Sequence, residues 1–207
     1  CYADENDALY IAKGKKNSAE ENRFWEKSDP LGLIDKMQDR FSDEDERAQF
    51  RRIIRYMKKW KNKHFDTAGN SAPPGIALTA LAYDKFSPKY ETNWTTMKRT
   101  YDDFAALKAF VEKCKNAFVY GYDVNDHEFY HTISQPLFVE PWNDLFAKMT
   151  AKQQDSFYKK LSDMLASLEN AEKKTKKSEV CSILADLFGS DFPVKTERSY
   201  VGHSESA

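Results

Sequence analysis

The sequence predicts a mainly α-helical protein, and three observations carry that reading. Glycine is scarce at seven of 207 residues, while Lys, Glu, Asp, Ala and Leu are plentiful, a balance that suits helices better than chains of tight turns. Apolar residues recur at helical spacing in several windows. One window, from Ser42 to Phe65, carries a full set of helix start and stop signals.

The length fits one domain or one and a half. The net charge of −1 gives no global field that would draw the chain to DNA or to an acidic membrane, so any electrostatic function must be local. Cys1, Cys114 and Cys181 are odd in number and widely spaced, which reads as reduced thiols in a cytoplasmic protein rather than a disulfide framework or a zinc knuckle. No apolar run approaches membrane-spanning length, and no signal-peptide pattern is present.

Taken in order, residues 1–16 open on "CYADENDALYIAKGKK", where "ALYIA" before Gly14 reads as a strand or hairpin finishing a sheet. The reading expects a C-terminal portion of something longer. A helical body is expected over 17–190. It begins with Phe24 and Trp25 on a helical pattern, followed after the Asp29-Pro30 break by Leu33, Ile34 and Met37 at helical spacing. "SDEDERAQFRRIIRYMKKWKNKHF" is the clearest helix. Ser42 reads as its N-cap, acids fill the first turn and bases the last. "DTAGNSAPPG" breaks the chain, and "IALTALAYDKF" reads as a short helix of small apolar residues. A long helix is expected from about Trp94 to Phe118. Residues 117–146 read as extended or irregular from their aromatic and β-branched content. Two helices close the body, one starting at Thr150 with Gln153 completing a capping box, the other ending at Phe188 with Gly189 as C-cap. Residues 191–207 lack periodicity and read as a flexible tail.

The Ser42–Phe65 helix carries the chemistry. At 100° per residue Phe50, Ile53, Ile54, Met57, Trp60 and Phe65 form one apolar arc, while Arg51, Arg55, Lys58 and Asn62 form a second stripe. Arg52, Lys59, Lys61 and Lys63 add positive charge, with no acid between residues 51 and 63. Taken alone, such a stripe also fits a solvated basic face that balances the acidic start of its own helix. The tight turn in "SAPPGIALTALA" adds a second feature, because it aims a helix N-terminus and its free N–H groups at the same region. Cations on one wall and N–H groups on the other suit a polyphosphate.

"HEFYH" at 127–131 matches the zinc-peptidase signature, which needs His127 and His131 on one helix face with Glu128 as general base. The surrounding sequence has no helix cap and no apolar helical stripe. Glu140, the nearest third ligand, is followed at once by Pro141. His127 and His131 therefore read as polar partners in an aromatic connection, with a zinc hydrolase as the remote alternative.

"IIRYMKKWKNKHF" followed by "PPGIALTALA" resembles the C-terminal helical lobe of cyclic GMP-AMP synthase-like and oligoadenylate synthetase-like nucleotidyltransferases. More closely, it looks like the bacterial cyclic-dinucleotide synthases of anti-phage defence. "RFWEKSDPLGLIDKMQDRF" and "LADLFGSDFPV" agree with it. The resemblance implies the helical lobe of a two-lobed, polymerase-β-like enzyme, with a trailing strand of the catalytic lobe at the N-terminus. It implies that Arg55 and Lys58 hold the donor triphosphate of ATP or GTP, with Ser71 as an additional hydroxyl. The position after the two prolines contacts nucleotide in eukaryotic relatives. Here it is Gly75, where oligoadenylate synthetases carry glutamine, so contact there would come from the backbone. The family's Gly-Ser motif and Mg²⁺-binding carboxylates have no counterpart in this chain. Asp4 lies too late to replace the third aspartate, so no catalytic or metal-binding residue is expected here, and the chain alone should be inactive. Some bacterial relatives have their C-terminus attached to targets by a ubiquitin-transfer-like machinery, and Gly202, Ser206 and Ala207 suit that role. A binding module for nucleic acid or a regulatory ligand is the rival reading.

Overall fold

The computed structural model describes residues 2–3, 9–14, 19–66 and 71–192. The predicted arc of the central helix is the centre of the core. Helix α2 (Glu44–His64) buries Phe50, Ile53, Met57 and Trp60 almost completely, with Ile54 and the following Phe65 beside them. Its N-cap is Asp43 and not Ser42. The Asp43 carboxylate accepts from the amides of Asp45 and Glu46 at 2.8 and 3.1 Å, two free donors at a helix start that one carboxylate satisfies better than a hydroxyl.

Around α2 pack helix α3 (Gly75–Lys85), helix α4 (Asp103–Lys115), helix α5 (Ala151–Glu172) and helix α6 (Lys177–Phe188). Helix α3 buries Ala77, Leu78, Ala80, Leu81 and Ala82, small residues that let it approach α2 closely. The predicted capping box of α5 is present, with Thr150 and Gln153 bonding reciprocally. Gly189 ends α6 at φ 114°, a left-handed conformation open to glycine without strain.

Strands flank this bundle. Strands β1 (Tyr2–Ala3), β2 (Leu9–Lys13) and β3 (Phe24–Ser28) form an antiparallel sheet. Here the sequence reading is corrected: Phe24 and Trp25 sit on a strand, paired with Lys13 and Ala12. Helix α1 (Pro30–Asp39) follows, capped by Asp29 through Gly32 N at 2.7 Å. Glycine is needed there, because a Cβ at residue 32 would fall 2.0 Å from the capping carboxylate.

The long helix expected from Trp94 is also corrected. Strand β4 (Tyr90–Asn93) and strand β5 (Lys98–Tyr101) form a hairpin, and α4 starts only at Asp103. Strand β6 (Val119–Asp123) and strand β7 (Glu128–Thr132) form a second hairpin. Both turn without glycine by the same device. Asn93 accepts from the amides of Thr95 and Thr96, and Asp123 from those of Asn125 and Asp126. The last turn residues, Met97 and His127, then take positive φ of 55° and 54°. Side-chain acceptors of this kind make a turn where glycine is missing, so glycine scarcity was a poor argument against hairpins. Asp191 and Phe192 lie against the body, Asp191 bonding Lys59 and Phe192 near the Phe188 ring.

Candidate functional site

The eight cations of α2 divide by what lies opposite them. On the side facing α4 and α6, Arg52 grips Asp103 with two hydrogen bonds of 2.6 and 2.9 Å, and Tyr56 Oη donates to the same carboxylate at 3.3 Å. Burial alone would raise the Asp103 carboxyl, but Arg52 outweighs it and holds the group below its ordinary value. Lys59 bonds Asp191 at 2.6 Å. Lys63 donates to the carbonyls of Ala185 and Asp186 at the end of α6, where a cation meets the negative end of the helix dipole. These three cations, read from sequence as part of a common positive field, hold the bundle together. Arg47, near the start of α2, donates to Phe41 O at 3.3 Å.

The other side differs. Arg51, Arg55, Lys58 and Lys61 make no hydrogen bond or ion pair among the described residues, where every other basic side chain of α2 has a partner. Of these, Lys58 has the most telling surroundings. Its side chain lies against the start of α3, and an ideal Cβ at Gly75 would stand 3.9 Å from Lys58 Cε. Burial pushes its ammonium below the ordinary lysine range, and the nearby charge of Lys61 adds to that. Lys58 remains exposed to solvent, and an ammonium beside a like charge and without an anion is open to a bound anion.

The turn after Pro73 and Pro74 behaves as its sequence suggests. Helix α3 starts at Gly75 with no side-chain cap; Pro74 O accepts from Ala77 N at 3.0 Å. Ser71 is half-buried at the entrance to this turn. Lys58 and Gly75 are thus brought together as the sequence reading expected. Arg55 stands exposed one turn away on the same helix. Sequence reading counted Lys61 in the surrounding positive charge but not among the phosphate ligands, although its i+3 spacing from Lys58 was available as a signal.

The zinc-like motif has a different fate. His127 sits in the β6–β7 turn, with Nδ1 3.2 Å from Tyr122 Oη. His131 sits on β7, with Nδ1 2.8 Å from Asp155 Oδ1, and its ring stacks on Tyr158 at 3.6 Å. The motif's helix is absent, since residues 128–132 form a strand, and the two imidazoles face separate partners. Gly202, Ser206 and Ala207, and likewise Asp4 and Cys1, fall outside the described residues.

Comparison with known proteins agrees with the sequence resemblance. No protein-family model matches the chain. A stretch of 73 residues is 27% identical to the cyclic GMP-AMP synthase of Escherichia albertii, covering 35% of this chain and 16% of that protein. The fold matches the di-nucleotide cyclase DncV of Vibrio cholerae. Against a mutant in complex with ATP, GTP and 5MTHFGLU2, the TM-score is 0.53 at 20% identity over 83% of this chain and 39% of the cyclase. Against DncV in complex with the linear intermediate 5′ pppA(3′,5′)pG it is 0.54, also at 20% identity, over 84% of this chain and 40% of the cyclase. The chain therefore spans about two-fifths of the solved proteins it matches. The fold and this sequence likeness are those of cyclic GMP-AMP synthase-like nucleotidyltransferases.

Proposed function

We propose that this chain is the nucleotide-clamping helical portion of a nucleotidyltransferase that makes a cyclic di- or oligonucleotide from ATP or GTP, in anti-phage defence. The observation that carries the reading is the Lys58 side chain, exposed to solvent, unpaired among the described residues and set against the uncapped start of α3 at Gly75. Lys58 and Arg55 take the triphosphate oxygens, Lys58 as a point charge and Arg55 as a fork. Gly75 offers backbone N–H, and Ser71 a hydroxyl. Lys61 strengthens the field at Lys58.

The resemblance brings Mg²⁺ with it. Among the described residues no three His, Cys, Asp or Glu side chains come together to hold a metal. These residues do not fit that role, and no step of the reaction is assigned to them. What the described residues do is bind and orient: they fix the phosphates of the donor, and no described residue is assigned to nucleotidyl transfer itself. Among the described residues no helix is long and apolar enough to cross a membrane, and a cytoplasmic setting is kept as part of the proposal. The C-terminal residues Gly202, Ser206 and Ala207 are kept in the proposal as a conjugation handle for ubiquitin-transfer-like enzymes.

The test is calorimetric titration of the 207-residue chain with ATP, GTP and inorganic tripolyphosphate. Saturable binding that Lys58→Ala weakens by about 10- to 100-fold is expected, from the roughly 1.5–3 kcal/mol of a charge-assisted hydrogen bond. Lys173→Ala, exposed beyond the end of α5, should change nothing. Equal losses at both positions, or tighter binding of long nucleic acid with a steep salt dependence, would replace the clamp with diffuse attraction.

A further inference from the structure

The two outer edges of the β6–β7 hairpin meet different surroundings. The edge of β7 is covered by α5: His131 N donates to Asp155 Oδ1 at 3.0 Å, and Ile133 N donates to Gln154 Oε1 at 2.8 Å. The edge of β6 is open. Among the described residues its sheet has only two strands, and Val119, Tyr120, Gly121 and Tyr122 are all exposed. The bonds to α5 also fix which backbone groups β6 leaves open. His131 N points away from β6, so the register pair Tyr120–His131 is one that exchanges no backbone hydrogen bond. Alternation along an antiparallel ladder gives the pair Tyr122–Phe129 the same character. The N–H and C=O groups of Tyr120 and Tyr122 therefore point outward, one residue to either side of Gly121.

Native sheets blunt an exposed edge with lysine, proline or a bulge. Strand β6 has none of these. No Lys or Arg occurs from Asn116 to Ala147, the first Pro after Asn116 is Pro136, and the register with β7 runs unbroken from Val119 to Asp123. On one face of the strand Tyr120 and Tyr122 are 61% and 51% exposed, beside Phe129 at 57%. Phe129 lies 5.4 Å from Tyr120 and 5.1 Å from Tyr122 between ring centroids. An unprotected strand edge flanked by exposed rings is a template for another strand.

We propose that β6 pairs antiparallel with β6 of a second copy of this chain, about a two-fold axis at Gly121. The sequence around that glycine selects the occupant. Tyr120-Gly121-Tyr122 reads the same in both directions, so Tyr120 of each copy lies opposite Tyr122 of the other. Their outward N–H and C=O groups then bond each other, and their rings share one face. Gly121 meets Gly121 at the axis without obstruction, since a Cβ there would have no atom within 4 Å. Charge fits as well: Val119 falls opposite Asp123, so the register sets no two like charges against each other. The exposed parts of the three rings bury at most about 300 Å² per copy, taking ~150–250 Å² for a whole aromatic side chain. Two copies give about 600 Å², below the ~1,200 Å² of a stable interface, so the dimer is reversible and forms at micromolar concentrations or above. The edge is separate from Lys58 and Gly75, and it stands or falls independently of the nucleotide reading.

The test is sedimentation of the 207-residue chain from micromolar to near-millimolar concentration, where a monomer–dimer equilibrium is expected. Gly121→Lys should abolish the dimer, because two like charges then face each other across the axis. Gly121→Glu should abolish it equally. An equimolar mixture of the two variants should recover it, since Lys then faces Glu. Gly121→Ser adds a side chain without charge and should stay within about threefold of wild type. Tyr120→Thr with Tyr122→Thr keeps β-forming residues and removes the rings, and should weaken the dimer by about 10-fold. Unaltered far-UV circular dichroism in each variant keeps the comparison valid. A wild type that stays monomeric throughout overturns the proposal, as does a dimer that survives both charged variants. So does a mixture that fails to recover association, or growth beyond the dimer, which a two-fold contact that closes on itself forbids.

Discussion

The two flanks of α2 make the most instructive comparison in the molecule. They share one helix, one set of residue types and one stretch of sequence, yet they do opposite things. Arg52, Lys59 and Lys63 meet a carboxylate or the carbonyl end of a helix. Arg51, Arg55, Lys58 and Lys61 meet no such group among the described residues. A cation with an internal partner contributes to the fold. A cation without an internal partner adds little to the fold and is left available to an arriving anion. The same chemistry becomes structure or site according to what the neighbouring elements place opposite it.

The largest effect that would break this contrast is at Lys58. Lys58→Ala should cost triphosphate affinity the 10- to 100-fold given above while leaving the melting temperature unchanged or higher. Lys58→Met sharpens the point, because it keeps the chain's bulk and removes the charge. A lysine whose folded-state pKa is depressed penalises the fold while it is protonated, and the penalty fades as pH rises through that lowered value. At pH 7 the penalty is present but small, because Lys58 is exposed to solvent, so Lys58→Met should leave Tm unchanged or slightly higher. A fall of several degrees would place Lys58 among the structural cations.

Arg52→Ala is the counterpart. It leaves Asp103, part-buried at 26% side-chain exposure, without its partner, so a loss of about 1–2 kcal/mol is expected, read as a Tm lower by roughly 3–6 °C. ATP affinity of the folded protein should stay within about twofold of wild type, since nothing in the proposal places Arg52 at the triphosphate. The pH dependence has the same origin. A carboxylate held below its ordinary value of 3.8 contributes stability above that pH and loses it as pH falls through the folded value. Thermal melts of the wild type should therefore drop more steeply below about pH 4 than those of Asp103→Asn.

A smaller effect is expected at Gly75. Its Cβ position is clear of close contacts and it opens a helix, so Gly75→Ala should stabilise by about 0.4–1 kcal/mol. If a phosphate approaches that backbone closely, the added methyl should weaken ATP binding severalfold despite the firmer fold. An unchanged affinity removes Gly75 from the clamp. The smallest effect belongs to the zinc-like motif: His127→Ala should leave ATP affinity unchanged, and elemental analysis should find no stoichiometric zinc. One zinc per chain, lost in that variant, would restore the motif.

The sequence by itself determined the features whose physics is local. The apolar arc of α2, the Thr150–Gln153 capping box, the Gly189 stop and the turn after Pro74 each depend on residues a few positions apart, and each was read correctly. The arc also located the basic stripe, so the pairing of Lys58 with the start of α3 was within reach of periodicity and resemblance. Only the tertiary structure decided the rest. Phe24 and Trp25 became a strand because β2 lies beside them, and no helical period competes with a ladder of backbone hydrogen bonds from a distant segment. The Tyr90–Tyr101 hairpin has a local turn, made by Asn93, that the sequence reading missed, and a tertiary anchor in Arg99, which reaches Asp43 and Glu46 near the start of α2. The division of the α2 cations was hidden for the same reason: the partners of Arg52, Lys59 and Lys63 lie 51 to 132 positions away. Charge on a helix face can be read from its own sequence, but whether that charge is satisfied depends on groups that only folding brings near.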